Sequence, residues 1–447
     1  MKAIFLFLLF LIPYINFNHK SKSSESKVPK SENQYSADTT LLKEFQDMKF
    51  GMFVHWGPVS LKGTEIGWSR GREVPIEEYD NLYKEFNPVN FDADAWIKTL
   101  KDAGMKYFVI TTRHHDGFSL WPTAYSDYNI SATPYQKDLL MEMKKACDKY
   151  GIMFGTYYSI CDWKHPLYPL GSPGGKTKKE TGDMEKFIPL IQRQTKELIE
   201  NYHTKILWFD GEWEAPWTHE MGLSFYQYLK GLDEHVLINN RVDKGRKEME
   251  GITISNEFAG DFATPEQRVG TYDIDHPWES CITICQQWAW KPNDEMKSLE
   301  ECLFTLLKTV GGGGNLLLNV GPMPDGRIEP RQVERLKEIG DWLKKYGESV
   351  YETKGGPYKP TEWLASTRKG NKVYLHLLNY SRNTLHIPFP SNVEIKSCKV
   401  LKGERLKFKR TGDLLQIDLP IKQSKNIITI EITTNVETTK IQTIEVS

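Results

Sequence analysis

The chain has 447 residues, of which 39% are hydrophobic, so it is long enough for two or three domains with a sizeable buried core. Its 58 basic residues nearly balance its 59 acidic residues, and the formal charge of −1 excludes an electrostatic case for binding nucleic acid or an anionic membrane surface. Thirteen tryptophans are compatible with a sugar-binding cleft, although core packing explains most tryptophans in most proteins.

The first 18 residues are predicted to be a signal peptide. Lys2 precedes the apolar run AIFLFLLFLI, which is bounded by Pro13 and is too short for a comfortable membrane span. An uncleaved signal anchor is the alternative. Residues 19–38 are rich in Lys and Ser and are predicted to be a disordered linker. We therefore expect export to a periplasmic, extracellular or lysosome-like compartment, with no membrane contact beyond the signal segment.

Between about residues 50 and 345, strand-like apolar runs alternate with helix-like amphipathic segments. This alternation implies parallel strands joined by right-handed crossovers. We therefore predict an α/β fold in which residues 39–355 form a (β/α)8-type (TIM-like) barrel. The eight predicted strands are 50–57, 107–117, 152–159, 206–211, 236–241, 252–258, 282–290 and 315–322.

Two of the amphipathic segments carry helix start and stop signals. Residues 92–104 begin with Asp92, a favourable N-cap, place apolar side chains along one face and end in glycine. Residues 330–347 have Pro330 in the first turn, an apolar stripe and a terminal Gly347. Both segments are predicted to be helices of the barrel.

The pattern changes after Gly356. Short β-type runs such as KVYLHLLNY and NIITIEIT follow one another, broken by Pro, Gly and Asn, and helical spacing is absent. This pattern predicts a C-terminal β-sandwich domain over residues 356–447. We expect it to cover one flank of the barrel, and it carries no recognisable binding motif.

Reactive side chains recur where the predicted barrel strands end. In a parallel barrel the active site lies at the carboxyl ends of the strands. A single histidine or arginine at such a position has an ordinary structural explanation, but five successive strands ending in this way favour an active site. The strand-end residues are His55, His114, His115, Tyr157, Asp210 and Arg241.

The fourth predicted strand, ILWFDG, positions a carboxylate at its end. Side chains alternate along a strand, so Trp208 and Asp210 face the barrel interior while Leu207 and Phe209 face the helices. Gly211 then turns the chain. A nucleophile requires this rigid position, whereas Glu212 and Glu214 are expected on a mobile loop.

Three other chemistries lack a matching pattern. A metal site would use His55, His114 and His115, but adjacent strand residues face opposite sides, the six cysteines lack zinc-like spacing, and no HExxH motif occurs. The run GGGGN at 311–315 is not followed by GK[ST], as nucleotide binding would require, and no GxSxG nucleophile elbow occurs. Paired carboxylates in an aromatic cleft, the equipment of glycoside hydrolases, need no metal or cofactor, and we expect none.

The ordered motifs identify a resemblance to a known family. FGMFVHWG is followed by RHHDGF, GTYYS, DW, LWFDG, NNR, TPEQ, PWE and GGGGNLLLNVGPMPDG. This order resembles that of the retaining α-L-fucosidase family of glycoside hydrolases over roughly residues 40–350. The resemblance implies an exo-acting enzyme that removes terminal α-L-fucose from fucosylated oligosaccharides or glycoconjugates.

The resemblance also implies roles for individual residues. Asp210 matches the family's nucleophile, which forms a covalent fucosyl-enzyme, and Glu266 in TPEQ matches the acid/base. Trp288 resembles the residue that contacts the C5 methyl group of fucose. The implied substrate-binding set comprises His55, Glu65, Trp68, His114, His115, Tyr157, Trp208, Arg241 and Trp288.

The sequence leaves several alternatives open. The family's acid/base varies between subgroups, so the rivals to Glu266 are Glu257, Glu279, Glu212 and Glu214. Many relatives carry an adjacent acid and aromatic where this chain separates Glu65 from Trp68. An α-L-galactosidase and a fucose-binding protein without catalysis are the alternative functions. Linkage preference and oligomeric state are not predicted.

Overall fold

The structure, a computed structural model, describes residues 39–173, 176–420 and 427–446. The predicted signal peptide at 1–18 and linker at 19–38 lie outside the described residues. Within the described residues, no helix combines the length and the apolar character that crossing a membrane requires.

A seven-stranded parallel sheet forms the first part of the structure, and it has the strand order β5-β4-β3-β2-β1-β7-β6. Its residues are almost all buried, as expected for strands covered on both faces. The strands are β1 (Phe50–Val54), β2 (Tyr107–Arg113), β3 (Met153–Ser159), β4 (Ile206–Asp210), β5 (Leu237–Ile238), β6 (Glu279–Thr283) and β7 (Asn315–Val320).

Helices follow or connect these strands. Asp92 caps its helix as predicted, its side chain accepting a hydrogen bond from the amide of Ala95 at 3.0 Å. The predicted helix at 330–347 is also confirmed, with Pro330 in its first turn and Gly347 as its C-cap. The helices are α1 (Thr39–Met48), α2 (Ile76–Tyr79), α3 (Ala93–Asp102), α4 (Leu139–Tyr150), α5 (Met184–Glu200), α6 (His219–Leu232), α7 (Leu299–Gly311) and α8 (Pro330–Tyr346).

The predicted sixth strand at 252–258 is wrong. That stretch forms turns, and Ile254 is 60% exposed, so it lacks the burial that an inner strand requires. The segment 262–266 bridges to both edges of the sheet instead. Phe262 forms a parallel bridge with Asn239, which follows β5, and Glu266 forms one with Cys281 of β6. Residues 262–266 show little strand pattern in the sequence, because they form only isolated bridges and not a regular strand.

Strand β4 separates two cores as its alternation predicts. Leu207 and Phe209 belong to the large cluster shared with the helices. Trp208 belongs to a smaller inner cluster with Phe53 and Tyr157. Asp210, two residues further along the strand, therefore lies at the carboxyl end of the sheet, on the inner side.

Gly211 turns the chain directly after Asp210. It has a φ of 96°, a conformation that favours glycine, and a Cβ there would lie 2.8 Å from Sγ of Cys161. All six cysteines, including Cys161, are free and buried.

Two antiparallel sheets follow the helical part of the chain, with five strands in the order β12-β15-β10-β9-β8 and three in the order β11-β14-β13. Apolar side chains of both sheets, such as Leu375, Ile430, Ile387 and Ile417, belong to one buried cluster. The strands are β8 (Lys354–Gly355), β9 (Leu364–Lys369), β10 (Lys372–Leu378), β11 (Thr384–Pro388), β12 (Ile395–Val400), β13 (Phe408–Thr411), β14 (Leu414–Asp418) and β15 (Ile427–Thr434).

Candidate active site

Asp210 is held by groups from two neighbouring strands. Nη1 of Arg241, in the turn after β5, donates to Oδ1 of Asp210 at 2.7 Å. The hydroxyl of Tyr157, on β3, donates to Oδ2 at 3.0 Å. All three side chains are almost completely buried, and the carboxylate is therefore fixed by two charge-assisted hydrogen bonds.

The same guanidinium holds a second carboxylate. Nη2 of Arg241 lies 2.8 Å from Oε2 of Glu266, and its Nε donates to Oγ1 of Thr264 at 2.9 Å. Glu266 and Thr264 belong to the bridging segment that replaces the predicted sixth strand. Arg241 thus brings the predicted nucleophile and the predicted acid/base to one point.

The environment of Asp210 favours its ionised form. Burial is the largest single influence and would raise the pKa of its carboxyl, but the charge and hydrogen bond of Arg241 and the other nearby cationic groups together hold the pKa below its usual value. His115 acts in the same direction, with its Nε2 3.6 Å from Oδ2 of Asp210. Asp210 therefore has the charge state that a nucleophile requires.

The three predicted histidines converge on the site, and His55 and His114 line the cavity. Burial lowers the pKa of His55 to about 3 and that of His115 to about 4, and it also lowers the pKa of His114. All three are consequently neutral at neutral pH. Nδ1 of His55 lies 2.7 Å from Oδ1 of Asn319, and Nδ1 of His115 lies 2.7 Å from Oγ of Ser159.

The expectation that His114 and His115 face opposite sides is wrong. Their ring centroids are 4.1 Å apart, and His114 stacks on Tyr157 at 5.3 Å with an interplanar angle of 6°. The reason is local: β2 ends at Arg113, and its register with β3 shifts between Thr111 and Arg113, so strand alternation no longer applies. Both rings therefore reach the active site.

Aromatic side chains form the walls of a cavity of about 390 Å³ at the carboxyl ends of the strands. Trp208 forms one wall, with Cζ of Arg241 4.5 Å from its ring centroid, and Trp288 forms another, 4.7 Å from the ring of His55. The full lining is Phe53, His55, Trp68, His114, Tyr157, Trp208, Asp210, Trp213, Arg241, Arg246, Glu248, Met249, Glu266, Cys281 and Trp288.

Glu65 and Trp68 have different surroundings. Trp68 lines the cavity and stacks on Trp213 at 6.2 Å and 15°. Glu65 is not among the lining residues; its two oxygens accept the backbone N–H groups of Trp288 at 2.9 Å and Ala289 at 3.1 Å. Glu65 therefore holds the loop that carries the Trp288 wall.

The rival carboxyls Glu257 and Glu279 do not line the cavity. Burial raises the pKa of Glu279 to about 7, but Glu279 is the first residue of β6, 1% exposed, and accepts hydrogen bonds from Tyr107 and Trp208. Glu257 is exposed and is not among the lining residues. Glu266 is therefore the cavity carboxyl among these three candidates.

The expectation that Glu212 and Glu214 lie on a mobile loop is also wrong, since each is 3% exposed. Nε of Arg246 lies 2.6 Å from Oε1 of Glu212, and Glu214 accepts hydrogen bonds from Trp163 at 3.0 Å and from Tyr168. Their partners come from distant parts of the chain, and local sequence does not show such partners. Neither carboxyl lines the cavity.

Sequence reasoning missed several lining residues. Arg246, Glu248 and Met249 lie in the irregular segment after β5, and Glu248 is a third cavity carboxyl beside Asp210 and Glu266. This segment has no strand or helix pattern that would aim it at the cavity. Only the structure marks this segment, in which Met249 is a 44% exposed hydrophobic side chain.

Within residues 39–173, 176–420 and 427–446, no group of three or more His, Cys, Asp and Glu side chains could hold a metal ion.

Comparisons with known proteins identify the family of this chain. A family model described as alpha-L-fucosidase matches residues 15–348. The tissue alpha-L-fucosidase of Bos taurus is 32% identical over 365 residues, covering 75% of this chain and 74% of that protein. The plasma alpha-L-fucosidase of Homo sapiens is 31% identical over 367 residues, covering 75% of this chain and 76% of that protein.

Solved structures are similar over most of the chain. Alpha-L-fucosidase isoenzyme 1 from Paenibacillus thiaminolyticus superposes with a TM-score of 0.80 at 32% identity, covering 88% of this chain and 99% of that chain. An alpha-L-fucosidase from Bacteroides thetaiotaomicron, trapped as a covalent intermediate with 2-fluoro-fucosyl fluoride, has a TM-score of 0.81 at 29% identity and covers 90% of this chain and 98% of that chain. This protein belongs to the alpha-L-fucosidase family.

Proposed function

We propose that the protein is an exo-acting α-L-fucosidase that hydrolyses terminal α-L-fucose from fucosylated glycans with retention of configuration. The observation that carries this proposal is the position of Asp210: an ionised carboxylate at the end of β4, held by Arg241 inside an aromatic cavity of about 390 Å³. The covalent intermediate of the Bacteroides relative supports the retaining mechanism.

In the proposed reaction, Asp210 attacks the anomeric carbon while the glycosidic C–O bond breaks. Glu266 gives its proton to the leaving oxygen, and a fucosyl ester of Asp210 forms. Glu266 then removes a proton from water, which attacks the ester and releases fucose with net retention. Retaining enzymes place the two carboxyls about 5–5.5 Å apart, and the shared contact with Arg241 supports such proximity.

Arg241 has a second consequence for this mechanism. Its Nη2 lies 2.8 Å from Oε2 of Glu266, whereas an acid catalyst must present its proton to the leaving oxygen. The side chain of Glu266 therefore has to turn from Arg241 toward the leaving oxygen when it acts as the acid. Arg241 then remains with Asp210, whose negative charge it stabilises.

The pocket walls support a 6-deoxy sugar as substrate. Trp288 offers an apolar surface where the C5 methyl of fucose would lie, and neutral histidines and Tyr157 surround the ring position. Removal of one methyl contact discriminates by only about 1–3 kcal/mol, so L-galactosides are expected to be poorer substrates rather than excluded ones.

The test is the release of L-fucose by the purified protein from α1-2, α1-3/4 and α1-6 fucosylated oligosaccharides and from an aryl α-L-fucoside. Asp210→Asn serves as the control, and NMR follows the anomer formed first. We expect release as the α-anomer, absent in the control. Release of the β-anomer would refute retention, and binding of fucose without any turnover would support a fucose-binding protein instead.

Two structural assignments are part of the proposal. We propose that the sheet and the bridging segment 262–266 close into a (β/α)8-type barrel over residues 39–355, and that residues 356–447 form a β-sandwich. The bridges from Phe262 and Glu266 support the closure, and the cluster shared by both antiparallel sheets supports the sandwich. Slow amide hydrogen exchange at Glu279 and Cys281, which donate to this segment, would test the closure.

We also propose export through the signal peptide at residues 1–18. The sequence pattern supports it. N-terminal sequencing of the protein recovered outside the cytoplasm tests it, and recovery of uncleaved protein in the cytoplasm would refute it.

A further inference from the structure

Asn319, the asparagine of the motif LLLNVGP, lies directly behind the cavity. It is 1% exposed and is not a lining residue. Its Oδ1 lies 2.7 Å from Nδ1 of His55, and its Nδ2 donates to the carbonyl oxygen of Trp288 at 2.7 Å. One amide therefore contacts two residues of the sugar pocket, one through each of its ends.

These contacts determine the orientation of the amide. A carbonyl oxygen can only accept, so the NH2 group of Asn319 must face Trp288, and Oδ1 must face His55. Since Oδ1 can only accept, Nδ1 of His55 carries the proton. His55 is neutral because burial lowers its pKa to about 3, and so its Nε2 carries a lone pair.

The neighbouring histidine follows the same logic. The hydroxyl of Ser159 donates its single proton to the carbonyl oxygen of Cys161 at 2.6 Å, and its oxygen accepts from Nδ1 of His115 at 2.7 Å. Nε2 of His115 has no hydrogen-bond partner in the protein and lies 3.6 Å from Oδ2 of Asp210. Of these two histidines only His55 lines the cavity, so its lone pair is the one available to a sugar hydroxyl.

Asn319 also contributes to the Trp288 wall. The N–H of Trp288 is bound by Glu65, and its carbonyl oxygen is bound by Asn319. Both sides of this residue are therefore held by buried or half-buried polar side chains. A change in the Asn319 amide would affect the histidine and the aromatic wall together.

We propose that Asn319 is a positioning residue, which fixes His55 as a hydrogen-bond acceptor for a hydroxyl of the bound fucosyl unit and holds the Trp288 wall in place. This inference rests on the proposed function, because it assigns the polarity of the same sugar pocket. It predicts that the site requires a hydroxyl donor opposite His55.

The test substitutes Asn319→Asp, with Asn315→Asp as the matched control. Asn315 lies on the same strand, is also 1% exposed and also donates to a backbone carbonyl, that of Phe45 at 2.7 Å, but does not line the cavity or contact His55. Both variants lose one amide donor to a carbonyl. Only Asn319→Asp places a carboxylate against the imidazole.

We expect kcat/KM of Asn319→Asp to fall about 10- to 100-fold at pH 7, since a buried carbonyl loses its donor. The new carboxylate stabilises the imidazolium of His55 and raises its pKa, so activity falls further as pH decreases, with an acid limb at higher pH than in the wild type. The charged and titratable groups that also face His55 are Asp210, His114, His115, Tyr157 and Arg241, and they are common to all variants.

Asn315→Asp is expected to keep the wild-type acid limb. An unchanged rate and pH profile in Asn319→Asp would overturn the proposal, as would an identical shift in Asn315→Asp. Nitrogen-15 NMR of histidine-labelled wild-type protein, assigned with His55→Gln, gives an answer without the Asp variants. Protonated Nδ1 supports the proposal and protonated Nε2 overturns it. A failure of the proposed function would appear separately, as a wild-type protein inactive on every fucoside.

Discussion

Replacing Arg241 with methionine removes the guanidinium that contacts both Asp210 and Glu266. At an effective dielectric constant of about 20, unit charges about 4 Å apart attract by about 4 kcal/mol. Arg241 makes two such contacts, at 2.7 and 2.8 Å, and it is 1% exposed. Breaking one buried pair costs about 3–5 kcal/mol, so the free energy of unfolding at pH 7 is expected to fall by at least that amount.

The loss of stability in Arg241→Met is expected to depend on pH. In the wild type the pKa of Asp210 is below its usual value, so its ionisation stabilises the fold above about pH 4, and this contribution is lost as pH falls through the folded-state pKa. Without Arg241, burial and the neighbouring Glu266 raise the pKa of one carboxyl. That group then destabilises the fold as pH rises through the raised pKa, so the stability deficit should shrink from pH 7 to pH 5.

The assay is chemical denaturation of wild type, Arg241→Met and Arg241→Lys at pH 7 and pH 5, together with the pH profile of kcat/KM. Arg241→Lys is the matched control, because it keeps the charge but lacks the fork that binds two carboxylates. We expect it to lose less stability than Arg241→Met. Equal stability of Arg241→Met and wild type, or a deficit that grows at pH 5, would refute this electrostatic account of the site.

Four further predictions follow from the geometry. Asp210→Gly should abolish fucoside hydrolysis in a protein that still folds but has a lower free energy of unfolding, since it breaks the buried ion pair with Arg241; normal turnover would exclude Asp210 as nucleophile. Glu266→Ala should lose far more activity on natural glycans than on fucosides with good leaving groups, and azide should restore turnover with the β-azide as product; absence of rescue would favour another acid, such as Glu248. Glu279→Gln should keep measurable turnover on aryl fucosides, since Glu279 lies outside the cavity, and a loss as large as that of Glu266→Gln would contradict this. Trp288→Ala should reduce the preference for fucosides over L-galactosides by about 1–3 kcal/mol, measured as a ratio of kcat/KM values.

Strand periodicity predicted the part of the site that lies on regular strands. His55, Tyr157 and Asp210 follow buried parallel runs, and the carboxyl ends of such strands meet on one side of the sheet. Alternation also placed Trp208 and Asp210 on the inner side correctly. These predictions needed only local sequence and the geometry of parallel strands.

Periodicity failed where the chain leaves regular strands. The pair His114 and His115 follows a register shift, and the segment around Glu266 forms only isolated bridges. Glu248 reaches the cavity through an irregular segment, whose direction depends on packing against distant residues. The positions of such side chains are set by tertiary contacts that a single sequence does not display.

The partners of the buried acids could not be predicted from the sequence either. Glu212 is neutralised by Arg246, which lies 34 positions further along the chain, and Glu65 binds backbone groups more than 220 positions away. Local sequence predicted a mobile loop for Glu212, because the partners that a buried charge requires are supplied only by the fold.

The central claim is that Asp210 forms the covalent bond to fucose. The most direct measurement is incubation of the protein with 2-fluoro-fucosyl fluoride, followed by intact-mass analysis and mapping of the labelled peptide. The account predicts one 2-fluoro-fucosyl adduct per chain, formed with loss of the anomeric fluoride, located on Asp210 and absent in Asp210→Asn. An adduct on another residue, or enzyme that hydrolyses fucosides but forms no adduct with this reagent, would contradict it.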